Sequence, residues 1–229
     1  MSQQHSWQAL WDSIAVRHAD DSVRASGRSP DRSDIRVDCE RIERLLDFSQ
    51  NDRVLDVGCG NGIIARELAP STLEWFGCDF SREMISAASH HRIANARFLI
   101  GLSTGLPFKN RSFSKVVLYS CLQHHTTQGA ITAVSEAKRV CVSGGRILVG
   151  DIPDGRQKRP FDKSTGFGPR RRLEGLASEV KRFVMLQPRV KDTWFDQEWV
   201  SRSFGDRQWK VAIYGRDPPY RFDVLLTPR

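Results

Sequence analysis

The chain has 229 residues, of which 39% are hydrophobic and 27% charged, and it carries a net charge of +8. That balance excludes a disordered chain and suits one large domain, or one domain with a lid, better than two full domains. No apolar run approaches the roughly 20 residues of a membrane helix. Met1–Asp21 lacks the basic head and apolar run of a secretory signal, so a cytoplasmic protein is expected.

Two helices are expected first, at about 6–18 and 35–48, with a loop-like linker from Arg24 to Ser33. Short β-like runs then alternate with helical stretches, the pattern of an α/β fold with a mostly parallel sheet. Arg53–Val57 reads as the first strand. A helix over Asn61–Ala69 is stopped by Pro70. Leu73–Cys78 is a second strand, and Ser81 can cap the next helix, which would bury Met84, Ile85 and Ala88. Ala96–Ile100 and Lys115–Tyr119 are the third and fourth strands. A helix over Gln128–Cys141, with Ile131, Val134, Ala137 and Cys141 inward, is ended by Gly144 and Gly145. Arg146–Gly150 is the fifth strand. Trp209–Tyr214 and Tyr220–Leu226 are joined by a Gly/Pro-rich turn, so the last strand should be antiparallel.

Two regions stand outside this rhythm. Residues 1–48 are expected to form a helical lid. Residues 151–195 form an insert in the domain 49–229, with a helix at about Leu173–Leu186. Within 151–192 there are eleven Lys or Arg against six Asp or Glu, and Phe161 and Phe167 lie among them. Such a surface suits an anionic small molecule or a structured RNA, and equally an ordinary solvated face.

The most specific segment is Val54–Gly62. A buried strand ends in an acid, Asp56, and glycines follow at 58, 60 and 62. They let the backbone turn and approach a ligand. A helix then starts, presenting free N–H groups and the positive end of its dipole. The dinucleotide fingerprint would need its third glycine at Ile63, and Asp56 would repel a pyrophosphate. A cofactor with a free ammonium group fits better. Asp79 ends the second strand, where a carboxylate can accept hydrogen bonds from two ribose hydroxyls. Phe80 follows it and could pack on the base.

Leu55–Gly62 and Gly77–Ser81 resemble the first two motifs of the class I S-adenosylmethionine-dependent methyltransferases. The resemblance continues in Gly105–Phe113, Ser120–His124 and Arg139–Arg146, in register over about 50 to 150. It implies a Rossmann-like seven-stranded, mostly parallel sheet with an antiparallel last strand, helices on both faces and the N-terminal lid. It also implies S-adenosyl-L-methionine as cofactor. Asp56, Gly58, Cys59, Gly60 and Gly62 would hold its methionine part, and Asp79 its ribose, with Phe80 and Ser81 alongside. Leu102 and Ser103 would border the adenine, and Tyr119 would face the site. Many relatives carry Gly-Asp where this chain has Gly101-Leu102-Ser103, so backbone groups or the Ser103 hydroxyl must serve there.

Methyl transfer needs alignment and exclusion of water. No metal is expected, since H-E-x-x-H and paired-cysteine sites are absent. The five cysteines, Cys39, Cys59, Cys78, Cys121 and Cys141, are read as small buried residues kept reduced. A hydroxyl acceptor would benefit from a base, and His124, then His125, are placed for it after the fourth strand. Tyr119, Ser120 and Asp151 are candidates for positioning the acceptor. Asp217-Pro-Pro-Tyr220 matches a motif of amino-methylating enzymes but falls in the terminal turn, where proline is at home. The expected activity is methylation of a small molecule or saccharide, at oxygen. An RNA methyltransferase and a non-catalytic cofactor-binding relative remain open beside it. A nicotinamide-dependent oxidoreductase is disfavoured by Ile63.

Overall fold

The computed structural model describes residues 3–17, 32–160, 192–216 and 219–229. The expected helix at 173–186, the linker up to residue 31 and the cluster Arg170–Arg172 lie outside the described residues, as do Asp217 and Pro218. No described helix is long and apolar enough to cross a membrane.

The elements in chain order are α1 (Gln3–Arg17), α2 (Arg32–Leu46), β1 (Arg53–Val57), α3 (Ile63–Leu68), β2 (Glu74–Asp79), α4 (Arg82–His90), β3 (Ala96–Ile100), β4 (Phe113–Tyr119), α5 (Thr127–Val140), β5 (Cys141–Pro153), α6 (Gln197–Phe204), β6 (Trp209–Gly215) and β7 (Arg221–Pro228). Short 3-10 turns follow α3 at Ala69–Ser71, β4 at Leu122–His124 and β5 at Gly155–Gln157. The seven strands form one sheet in the order β3-β2-β1-β4-β5-β7-β6. β7 runs antiparallel to both β5 and β6, and the other pairings are parallel.

Strand residues alternate between two apolar layers, as the period of two requires. Leu55, Val57, Val116, Leu118, Ile147 and Val149 pack with α5 and α6. Val54, Val117, Tyr119 and Leu148 pack with α2 and α3. Covering both faces is what lets the parallel strands be nearly continuous apolar runs.

Differences from the sequence reading have local causes. α3 ends at Leu68, and Pro70 sits inside the following 3-10 turn, where its missing N–H costs nothing. α5 begins a residue early because Thr126 caps it, accepting from Gly129 N–H at 3.1 Å. Its buried stripe is Ala130, Ala133, Val134, Ala137 and Val140 rather than one through Ile131 and Cys141. Cys141 has already entered β5, opposite Phe113. Gly144 and Gly145 therefore lie in a strand beside a register shift, not at a helix end. A Cβ on Gly145 would stand 2.5 Å from Cys141 Sγ and 2.7 Å from Ser114 O, so the close approach demands glycine. α6 was not anticipated. Asp196 caps it through the Glu198 and Trp199 N–H groups, and Val200 and Phe204 are its buried pair.

Candidate functional site

β1 and β4 are neighbours although two strands separate them in sequence. The chain leaves β1 toward one side of the sheet and β4 toward the other, which opens a crevice at their carboxyl ends. A cavity of about 350 Å³ occupies that crevice. The glycine loop follows β1 there, and Ser120–His125 follow β4.

Gly58, Gly60 and Gly62 all adopt left-handed backbone, with φ of 72°, 52° and 73°. At Gly58 a Cβ would stand 2.7 Å from Cys121 Cβ, while at Gly60 it would meet nothing within 4 Å. Asp79, at the end of β2, locks the loop. One carboxylate oxygen accepts from Gly60 N–H and the other from Ser81 N–H, both at 2.9 Å. Burial pushes its pKa up to about 6, against the backbone N–H groups of Ser81 and Gly60, which pull it down. Asp12 of α1 adds to the upward push.

The cavity wall brings together Gly58, Cys59, Gly60, Asp79 and Phe80 with Leu102, Ser103, Tyr119, His124 and His125. Three other residues expected to hold the cofactor stand off it. Asp56 is buried in β1, at 1% exposure, behind the loop. Gly62 packs against Ala88 and Phe98. The Ser81 hydroxyl caps α4 by accepting from Met84 N–H at 3.1 Å, and it donates to Asp12 at 2.5 Å. The thiols of Cys59, Cys78 and Cys121, also on the wall, are pushed up by burial and by Asp79 and Asp56, so they stay protonated. All five cysteines are buried and none is in a disulfide.

The two histidines differ. His125 has both ring nitrogens engaged: Nδ1 donates to Cys121 O at 3.2 Å, and Nε2 accepts from the Ser103 hydroxyl at 2.6 Å. It fastens the Leu102–Ser103 loop to the turn after β4, with neither ring nitrogen left open to the cavity. His124 is held neutral, pushed down to about 3 by burial, with His125 and Arg221 acting the same way. Its Nδ1 is buried without a hydrogen bond.

α1 supplies residues that the sequence reading did not assign to the site. Trp7 and Trp11 lie on the cavity wall, with ring centroids 4.1 and 5.4 Å from that of His124. Gln8 donates to Phe80 O at 3.3 Å. The signal was present: Trp7 and Trp11 are four residues apart and share a helix face.

Ser120 and Asp151, at the ends of β4 and β5, have left-handed backbone with φ of 54° and 60°. The Ser120 hydroxyl donates to Asp151 at 2.6 Å. Such strain in two non-glycine residues collects at functional sites. Tyr119 donates to Asp38 at 2.6 Å and is also bonded by Arg216.

The chain matches the family model described as "Methyltransferase domain" over residues 54–145. It is 30% identical over 182 residues to a demethylmenaquinone methyltransferase of Corynebacterium glutamicum, covering 76% of this chain and 74% of that protein. The chain belongs to the class I S-adenosylmethionine-dependent methyltransferases. Among solved structures, the PH0226 protein of Pyrococcus horikoshii aligns with a TM-score of 0.69 at 20% identity, covering 86% of this chain and 91% of that one. Magnesium protoporphyrin IX methyltransferase of Synechocystis, with bound SAH, aligns with a TM-score of 0.62 at 17% identity, covering 86% of each chain. RNA methyltransferases also occur among the relatives.

The methyltransferase's own cradle fits the cofactor. Gly60 leaves open space where a side chain would intrude, and Asp79 presents a buried carboxylate on the cavity wall. Gly58→Ala should therefore weaken S-adenosylhomocysteine binding about tenfold or more. The added Cβ collides with Cys121 and strains the backbone by about 1–2 kcal/mol. Gly105→Ala, with nothing within 4 Å, should bind as wild type. Titration calorimetry decides, and equal affinities in the two variants would refute this account of the loop.

Proposed function

We propose that this methyltransferase transfers a methyl group to a hydroxyl oxygen of a small molecule in the cytoplasm. Residues 1–48 serve as the lid and 49–229 as the catalytic domain. One observation carries the reading. A single cavity runs from Gly58–Gly60 and Asp79 to His124, beneath Trp7 and Trp11. The first end suits the cofactor. The second is walled by aromatic rings and suits an acceptor with an apolar or aromatic body.

Asp79 accepts the ribose hydroxyls, Phe80 lies along the adenine, and Leu102 and Ser103 border its edge. The glycine loop, with Asp56 behind it, holds the methionine end. When bound, the cofactor supplies a methyl carbon that bonds to the acceptor oxygen as its bond to sulfur breaks, the electron pair leaving with sulfur. Trp7 and Trp11 keep water from the His124 end. His124, neutral and on the wall, takes the acceptor's proton.

Calorimetry with S-adenosylhomocysteine should show micromolar binding, and no heat would overturn the reading. Transfer of label from S-adenosylmethionine to a panel of phenols and sugars should identify hydroxylated acceptors. Label entering only RNA, with binding that falls steeply with salt, would replace the small-molecule reading with a nucleic-acid one.

A further inference from the structure

Asp192 opens the described last stretch of the insert, and hydrogen bonds tie that stretch to the turn carrying His124. Thr193 N–H donates to Gln123 O at 2.8 Å, and the Thr193 hydroxyl donates to His125 O at 2.5 Å. Farther along, Phe195 is buried at 1% exposure. Its N–H donates to Pro153 O and its carbonyl accepts from Gly155 N–H, both at 2.9 Å. The strap is thus fixed at both the His124 turn and the end of β5. It sets Asp192 Oδ1 3.6 Å from His124 Nδ1, the buried nitrogen that makes no hydrogen bond.

We propose that Asp192 is a positioning residue for His124: its carboxylate takes the Nδ1–H, fixes the tautomer that leaves Nε2 bare for the cavity, and balances the charge once Nε2 has taken a proton. The proposal rests on His124 being the base. It also explains how a buried imidazole can serve as one. A ring pushed down to about 3 by burial is by itself a poor proton acceptor. Trp7 and Trp11 contribute ring faces but no charge. Among the described residues, the groups acting on the pair besides His125 are Arg221 of β7 and Asp151 of β5; burial and Asp151 push the Asp192 carboxyl up, and Arg221 pulls it down. Arg221 disfavours the imidazolium. Asp192 is the carboxylate in reach of Nδ1.

Closing from 3.6 Å to an ordinary charged hydrogen bond takes less than 1 Å. Catalytic contacts commonly tighten in this way once ligands are bound. The proton's path is then complete: it leaves the acceptor oxygen for Nε2 while the Nδ1–H stays on the Asp192 carboxylate. Nε2 then releases the proton to solvent.

Nitrogen-15 NMR of the full chain, labelled at histidine and saturated with S-adenosylhomocysteine, tests the proposal without an acceptor. The His124 signals are assigned by their loss in His124→Gln. Wild type should show the Nδ1–H tautomer, Asp192→Ala a mixture or the Nε2–H form, and Asp192→Glu a return to Nδ1–H. All three should bind S-adenosylhomocysteine within about threefold, which shows that they are folded. A wild-type ring protonated at Nε2, or a tautomer unmoved by Asp192→Ala, overturns the pairing.

With an acceptor from the panel, kcat should fall about 10- to 100-fold in Asp192→Ala with little change in KM, and recover in Asp192→Glu. A His124→Gln variant that keeps full turnover would sink the base and the pairing together. Loss in His124→Gln but not in Asp192→Ala would sink the pairing alone. Absence of S-adenosylhomocysteine binding in wild type would instead strike the reading of the cavity.

Discussion

Asp79→Asn should lose S-adenosylhomocysteine affinity by about 100-fold or more while the unliganded protein melts no lower than wild type. The loss follows from the carboxylate's geometry. Each oxygen already accepts one backbone N–H, from Gly60 or Ser81, and keeps a lone pair for a ribose hydroxyl. A hydrogen bond to a charged group is worth about 1.5–3 kcal/mol; the amide removes one acceptor outright and the charge from the other, which together cost about two orders of magnitude.

The stability follows from burial. The folded chain raises the pKa of Asp79 from its ordinary 3.8 to about 6, so it holds the proton more tightly than the unfolded chain does. Stability contributed by the protonated form is present below about pH 4 and is lost as pH rises to about 6. Above that, keeping the group ionised costs about 3 kcal/mol. The neutral amide removes this cost and gives up one backbone acceptor, worth about 1–2 kcal/mol. Wild-type affinity should also fall about tenfold per pH unit below pH 6, while the variant's weak binding stays flat. Binding within threefold of wild type would refute the assignment of Asp79 to the ribose. A lower melting temperature at neutral pH would refute the account of its burial.

The parts of the fold legible in the sequence were those whose physics is local. β1 and β3 match residue for residue because short apolar runs bounded by turn residues leave little choice. The glycine loop was legible because left-handed backbone at 58, 60 and 62 demands glycine, and Asp79 because it closes a strand at a fixed distance from that loop. The end of α5 was not, since whether Gly144 and Gly145 stop a helix or ease a strand past Cys141 depends on β4 lying beside them. α6 was missed because its eight residues show only one buried pair. In the site, the roles of Trp7, Trp11 and Asp192 depend on segments far apart in sequence meeting over β4. His124 and His125 look interchangeable as neighbours. Only their partners, Ser103 and Cys121 for one and an unfilled Nδ1 for the other, separate them.

Asp223→Ala should act in the opposite sense to Asp79→Asn, lowering the melting temperature by roughly 10 °C while leaving S-adenosylhomocysteine affinity within about tenfold. Asp223 is fully buried in β7. It accepts from Asp151 N–H at 2.8 Å, from Arg216 at 3.3 Å and from Arg41. Arg41 also donates to Gly215 O, and Arg216 to Asp38, both at 2.6 Å. One carboxylate thus joins α2, the β6–β7 hairpin and the strained end of β5. Removing it leaves two guanidinium groups facing each other with less countercharge, and leaves the Asp151 N–H without its acceptor. Breaking a buried pair from one side costs about 3–5 kcal/mol, and each kcal/mol lowers the melting point of a chain this size by about 2–4 °C. Arg41→Ala should cost less, because Arg216 still neutralises Asp223. The glycine loop and Asp79 follow β1 and β2, which this network does not touch; it reaches the cavity wall at Tyr119, which Arg216 bonds, so binding should largely survive. A melting point within 2 °C of wild type would show that the buried charges are relieved some other way. A loss of affinity as large as that of Asp79→Asn would show that the network supports the cradle itself.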